Sequence, residues 1–199
     1  LNPEDLCIHY NLGLTCSALK KFDEAIQWYR SAIQLKPTYS KPYYALGCVF
    51  YEKGDYQKSL AYYQYALEIE SENADYAYGS GLSWYALGNA NQAIYWYQTA
   101  LKLSENDPNI YYSLALAYED QGLIDEAISA YQIYLNYHPN SAGVYYNLGL
   151  LFTYQKNFTQ AIEAIETHLK LAPENPEAYN NLGLIHTYLN QWPQAMRYY

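Results

Sequence analysis

The residues of this chain with the widest chemical range are four histidines, His9, His138, His168 and His186, and three cysteines, Cys7, Cys16 and Cys48. Imidazole and thiolate can together hold zinc, and either can form part of a nucleophile–base pair. Their spacing supports neither use. The cysteines form no CxxC pair, and no histidine lies at a convincing ligand distance from a cysteine or carboxylate. Cys7 and His9, two residues apart, fall on different faces of a helix. There is no phosphate-binding loop, nucleophile elbow or acid pair. The chain therefore reads as non-enzymatic, with no metal and no cofactor. The odd cysteine count argues against a disulfide framework and for packed thiols in a reducing, cytoplasmic compartment.

Recognition chemistry is the better prospect. Twenty-eight of the 199 residues are tyrosine, a side chain that packs like an aromatic and keeps a polar tip. Tyr10, Tyr44, Tyr78, Tyr112 and Tyr146 each stand 34 residues from the next, and so do Gly13, Gly47, Gly81, Ala115, Gly149 and Gly183. A fixed period of 34 without insertion marks stacked helix pairs. Position 1 of each unit falls at Leu6, Ser40, Ala74, Pro108, Ala142 and Pro176. The glycine or alanine is then position 8. A second small residue stands at position 20: Ala25, Ser59, Ala93, Ala127, Ala161 and Ala195. Two small residues let two helices approach closely.

Apolar residues recur at three and four spacing in each half of the unit, as amphipathic helices require. Breaks fall near position 15, as at Gly54 and Gly88, where glycine accepts the left-handed cap. Asp23 and Asp125 are then expected to cap the second helix. Proline at position 32, in Pro37, Pro139 and Pro173, helps end it. Each unit is helix A, tight turn, helix B.

These positions are those of the tetratricopeptide repeat, and the chain resembles that family over essentially its whole length. Leu12-Gly13, Ala25, Tyr29, Ala32 and Pro37 carry the likeness in the first unit, and Tyr145, Leu148-Gly149, Ala161 and Pro173 in the fifth. The resemblance implies an all-α, right-handed α-solenoid of stacked antiparallel helix pairs. The expected repeats are 6–39, 40–73, 74–107, 108–141 and 142–175, with a partial sixth at 176–199, in one array spanning 1–199. Residues 1–5 read as the tail of a preceding repeat, so a fragment of a longer protein is expected. Tyr134 and His168 replace the family's alanine at position 27, where helix B meets the next helix A. Altered stacking is expected at the fourth-to-fifth and fifth-to-sixth junctions.

The family lines its inner wall with helix A, which makes the groove the expected binding surface for a protein or peptide segment. Position 5 would supply Tyr10, Tyr44, Tyr78, Tyr112 and Tyr146, unless these rings serve only to pack. Position 6 supplies Asn11, Asn147 and Asn181, whose amides can pair with a peptide backbone. This partial ladder is similar to that in the repeat domain of O-linked N-acetylglucosamine transferase, but Ala45, Gly79 and Ser113 interrupt it and would widen the central groove. Position 9 carries Leu14, Cys48, Leu82, Leu116, Leu150 and Leu184, an apolar track if exposed and core if not. Tyr85 and Glu119 at position 12, with Asp120, Tyr154 and Tyr188 at position 13, complete the wall. The lysine and asparagine of the family's chaperone-tail clamp are replaced by Tyr10 and Leu14, so binding of such a tail is not expected.

Charge narrows the partner. The net charge is −9, from 11 basic and 20 acidic residues, which disfavours nucleic acid and anionic membranes. No apolar run reaches a membrane span. Between Lys102 and Lys156 there is no basic residue, while Glu105, Asp107, Glu119, Asp120, Asp125 and Glu126 fall there. The expected partner is an apolar segment with some basic residues. Two other readings stand beside this one. The array could be the targeting arm of a larger enzyme such as a glycosyltransferase, or a scaffold that self-associates through an uncapped end.

Overall fold

The computed structural model describes residues 6–104 and 107–199. The expected repeat tail at residues 1–5 and Glu105 of the acidic stretch lie outside the described residues. Among those described there are twelve α-helices and no strand. The A helices are α1 (Leu6–Ala18), α3 (Ser40–Glu52), α5 (Ala74–Ala86), α7 (Pro108–Asp120), α9 (Ala142–Tyr154) and α11 (Pro176–Tyr188). The B helices are α2 (Phe22–Leu35), α4 (Tyr56–Ile69), α6 (Ala90–Leu103), α8 (Ile124–Tyr137), α10 (Phe158–Leu171) and α12 (Trp192–Tyr198). The chain divides into two compact units, one ending at Gln121 and the other running Gly122–Tyr199. Antiparallel pairs stack in series within each.

The turn between A and B is the same in every repeat. Position 15 is left-handed in all six: Gly54 and Gly88 at φ 78°, Gly122 at 69°, Lys20 and Asn190 at 57° and Lys156 at 59°. The next N–H then reaches back over the helix end. Lys21 donates to the Cys16 carbonyl at 2.8 Å and Asp55 to that of Phe50 at 2.9 Å, which satisfies carbonyls left over by the last turn.

This geometry corrects the expected caps. A left-handed residue at 15 makes position 16 the N-cap, and Asp23 and Asp125 stand at position 18, inside the first turn. Asp55, Asn89 and Asn157 are the capping residues, accepting from the N–H groups of Lys58, Gln92 and Gln160. The caps of α2 and α8 are Lys21 and Leu123, with no side-chain bond. Asp23 and Asp125 instead reach the following repeat. Asp23 lies 2.7 Å from Lys53 Nζ, and Asp125 accepts from Gln155 Nε2 at 2.6 Å.

The core follows the repeat. Ala25, Ser59, Ala93, Ala127 and Ala161 are fully buried, and the rings of Tyr29, Tyr63, Tyr97 and Tyr131 are nearly so. These rings are why position 8 stays small. A Cβ added at Gly81 would stand 2.5 Å from Tyr97. Ser59 does more than fill an alanine site: its hydroxyl donates to the Gly47 carbonyl at 2.8 Å and lies 2.9 Å from Ser83 Oγ on α5.

At the two junctions with a large residue at position 27 the helices stand further apart. The backbones of α8 and α9, and of α10 and α11, approach less closely than those of α2 and α3, α4 and α5, or α6 and α7. Tyr134 and His168 supply the bulk at those two places.

Candidate partner-binding face

In the first unit α1 approaches α3, α3 approaches α5 and α5 approaches α7, and the B helices do not close up in the same way. The A helices therefore form the inner side of that unit. Their position 9 is graded in exposure. Leu14 is exposed, while Cys48, Leu82 and Leu116 are half-buried. In the second unit Leu150 and Leu184 are exposed, and one turn further along the same helices Tyr154 is 76% exposed and Tyr188 60%. Four apolar or aromatic side chains thus stand on α9 and α11 with much of their surface in water, where a helix face without a partner is normally polar.

The position-5 tyrosines are first of all packing groups. Tyr10, Tyr44 and Tyr78 rest on the position-24 ring of their own repeat, with centroids 5.9, 5.6 and 5.6 Å from Tyr29, Tyr63 and Tyr97. Tyr146 meets His168 at 5.2 Å. Tyr112 is exposed. Their hydroxyls bridge forward: Tyr78 shares a 3.0 Å hydrogen bond with Ser113, and Tyr146 accepts from the Asn181 amide at 3.1 Å. Burial raises the hydroxyl pKa of Tyr44, Tyr78 and Tyr146 above the ordinary value.

Two of the three ladder asparagines already have work. Asn147 donates to the Tyr131 hydroxyl at 2.9 Å, and Asn181 to that of Tyr146. Each keeps its carbonyl and a second N–H for a ligand. Asn11 is exposed. The gap expected at Gly79 is not open groove. The Tyr63 ring fills it, so that a Cβ on Gly79 would lie 2.7 Å from that ring. Tyr63 also donates to Cys48 Sγ at 3.4 Å. Burial raises the Cys48 thiol, which keeps it protonated and poorly nucleophilic.

On the inner side of the first unit Tyr85 is pushed up to about 12, chiefly by burial, then by its hydrogen bond to Asp120 and by the charges of Asp120 and Glu119. Glu119 is half-buried and Asp120 exposed. This part of the wall is aromatic and negative together.

Three of the histidines pack or hydrogen-bond within the helical array. His168 Nδ1 lies 2.9 Å from the Ala142 carbonyl and Nε2 2.8 Å from the Asn175 amide nitrogen. The ring thus joins α10 to the starts of α9 and α11. His186 Nδ1 lies 2.7 Å from Gln191 Oε1. His9 packs edge-on to Trp28 at 5.4 Å. Among the described residues no three His, Cys, Asp or Glu come together as a metal site, and no helix is long and apolar enough to cross a membrane.

Sequence reasoning overlooked a cleft beside α2, lined by Arg30, Lys53 and Lys58. Its signal was the crowding of basic residues into the first two repeats.

Comparison with known proteins follows the repeat. Residues 16–54 and 81–122 match a family model described as a TPR repeat. Residues 112–176 and 146–199 match one described as a tetratricopeptide repeat, and residues 40–73 a third of the same description. No curated protein matches the chain. Among solved structures it is similar to YrrB, described as a TPR protein with an unusual peptide-binding site, at a TM-score of 0.77 and 24% identity over 96% of this chain and 94% of that one. It is similar to MamA from Desulfovibrio magneticus, at 0.79 and 18% over 85% and 96%. It is also similar to PilF of Pseudomonas aeruginosa, at 0.78 and 17% over 97% and 88%.

Proposed function

Because this chain belongs to the tetratricopeptide repeat family, we propose that it is a non-catalytic scaffold whose A-helix face binds a segment of another protein. The observation that carries this reading is the exposure of Leu150, Tyr154, Leu184 and Tyr188 on α9 and α11. Solvated apolar and aromatic side chains at repeating positions lose water favourably when a partner covers them. Leu14 and Tyr112 offer the same kind of surface in the first unit. The peptide-binding site ascribed to YrrB, similar in fold, supports the reading.

The partner is an extended or helical segment with apolar side chains and a few basic ones. Apolar groups meet the leucines, with Leu82 and Leu116 offering smaller contact areas than Leu150 and Leu184. A lysine or arginine suits Tyr85, Glu119 and Asp120, through charge and the aromatic face. Asn147 and Asn181 in the second unit hold the backbone through their remaining amide groups, and Asn11 offers the same group within the first unit. The half-buried, protonated Cys48 and buried Cys16 suit a reducing, cytoplasmic setting.

The test is a phage-displayed peptide selection on the immobilised protein, repeated on the double variant Leu150→Asp, Leu184→Asp. Both side chains are exposed, so helical circular dichroism should be kept. Enrichment of apolar peptides that fails on the folded variant is the expected result. Equal enrichment on both proteins rejects the groove.

A further inference from the structure

A cleft of about 540 Å³ opens on the first unit between α2 and the turn joining α3 to α4. Ile26 and Phe50, both buried but for an edge, form its floor. Its rim is unlike the rest of this acidic chain, for cations outnumber acids there: Arg30 from α2, Lys53 from the end of α3 and Lys58 from α4 stand with Asp23 and Asp55. The repeat supplies an internal control. At the four later junctions the corresponding eight positions hold no lysine or arginine at all. The same bias shows in the whole sequence: residues 1–58 carry a net charge of +1 and residues 59–199 one of −10.

The three cations differ in what holds them. Lys53 pairs with Asp23 at 2.7 Å, and Asp23 is 87% exposed. Lys58 pairs with Asp55 and stands over the Phe50 ring, 5.4 Å from its centroid. Pairs this exposed are weak and exchange readily for an incoming carboxylate. Arg30 has no carboxylate at ion-pair distance among the described residues. A guanidinium presents a rigid fork that matches a carboxylate with two hydrogen bonds. An unpaired arginine, two displaceable lysines and an apolar floor make a receptor for negative charge carried beside an apolar side chain.

We propose that this cleft is a second docking site, for an acidic peptide segment bearing an aliphatic or aromatic residue. The carboxylates engage Arg30, Lys53 and Lys58, and the apolar side chain covers the edges of Ile26 and Phe50. Charge complementarity selects this occupant, since a rim with three cations to two acids is the exception on a chain of net charge −9. The site differs from the A-helix face in position and in the sign of charge it selects.

The probe is a fluorescein-labelled peptide, Asp-Glu-Asp-Leu-Phe-Glu-Asp-Glu, with a control in which every acid is its amide. Fluorescence anisotropy should show saturable binding of the acidic peptide that weakens as salt is raised, and little binding of the control. Arg30→Glu and the milder Arg30→Gln should each weaken binding, the former about tenfold or more. Leu150→Asp with Leu184→Asp should leave it unchanged. Equal binding of acid and amide peptides overturns the proposal. So does wild-type affinity in both Arg30 variants, or loss of binding in the leucine double variant alone. A salt-sensitive dimer that light scattering detects without peptide, and that Arg30→Glu abolishes, also overturns it by making a second copy the occupant.

Discussion

The side-chain amide of Asn181 donates to the hydroxyl of Tyr146 from 3.1 Å away, tying α11 to α9. The Tyr146 hydroxyl in turn donates to Glu177, also on α11, at 3.4 Å, so one phenol links two repeats at two points. Tyr78 and Ser113 repeat the arrangement between α5 and α7. Residues proposed to meet a partner are thus also fasteners between repeats. Tyr146→Phe keeps the ring against His168 and removes the hydroxyl. It should lower stability by about 1 kcal/mol in urea unfolding.

His168 stands where the family carries alanine, yet restoring alanine should destabilise the chain. His168→Ala would leave the Ala142 carbonyl and the Asn175 amide without their present partner and open a cavity beside Tyr146. A loss of about 2 kcal/mol is expected from chemical unfolding.

The turn at Lys156 holds a side-chain-bearing residue at φ 59°, where glycine costs least. Lys156→Gly should stabilise by about 1 kcal/mol. Gly54→Ala, at φ 78°, should destabilise by a similar amount, both read from thermal unfolding.

Gly81→Ala places a methyl group 2.5 Å from the Tyr97 ring, and Tyr97 is only 1% exposed and cannot swing clear. The overpacked pair should cost about 1–3 kcal/mol. Helical circular dichroism at low temperature should be nearly unchanged, with the melting temperature lowered.

Alkaline pH should unfold the chain. Burial raises Tyr29, Tyr63 and Tyr97 well above the ordinary tyrosine value of 10.0, and Tyr85 to about 12. Above pH 10 the unfolded chain releases these protons and the folded chain retains them, so ionisation pulls towards unfolding. Stability is fully present below pH 10 and falls as pH rises towards 12 and beyond. Melting temperature measured across that range should drop. Tyrosinate absorbance should rise in two steps, exposed hydroxyls first and the buried set only with loss of helix.

Much of the fold was legible because its unit is short and repeated. The small residues at positions 8 and 20, Tyr29 and its counterparts, and Pro37, Pro139 and Pro173 mark helix pairs without reference to distant contacts. The left-handed residue was legible at Gly54 and Gly88. At Lys20, Lys156 and Asn190 residue type conceals it, which hid the true cap beside Asp23; at Asp125 the expected cap is misplaced although Gly122 stands openly at position 15. The exposure of the proposed binding face was legible only in part. Leu14, Leu150 and Leu184 are exposed, but Leu82 and Leu116 are half-buried, and identical residue types at identical positions carry no sign of that difference.

The sequence alone determined the period, the helix pairs and the residues facing the A side, because each depends on interactions within about one repeat. Only the tertiary structure decided that Tyr63 fills the space above Gly79, that Asn147 and Asn181 are held by tyrosine hydroxyls, and that Arg30 is left unpaired among the described residues beside Phe50. Those outcomes depend on how one repeat meets the next, where a hydroxyl or a ring takes whichever neighbour the packing brings within reach.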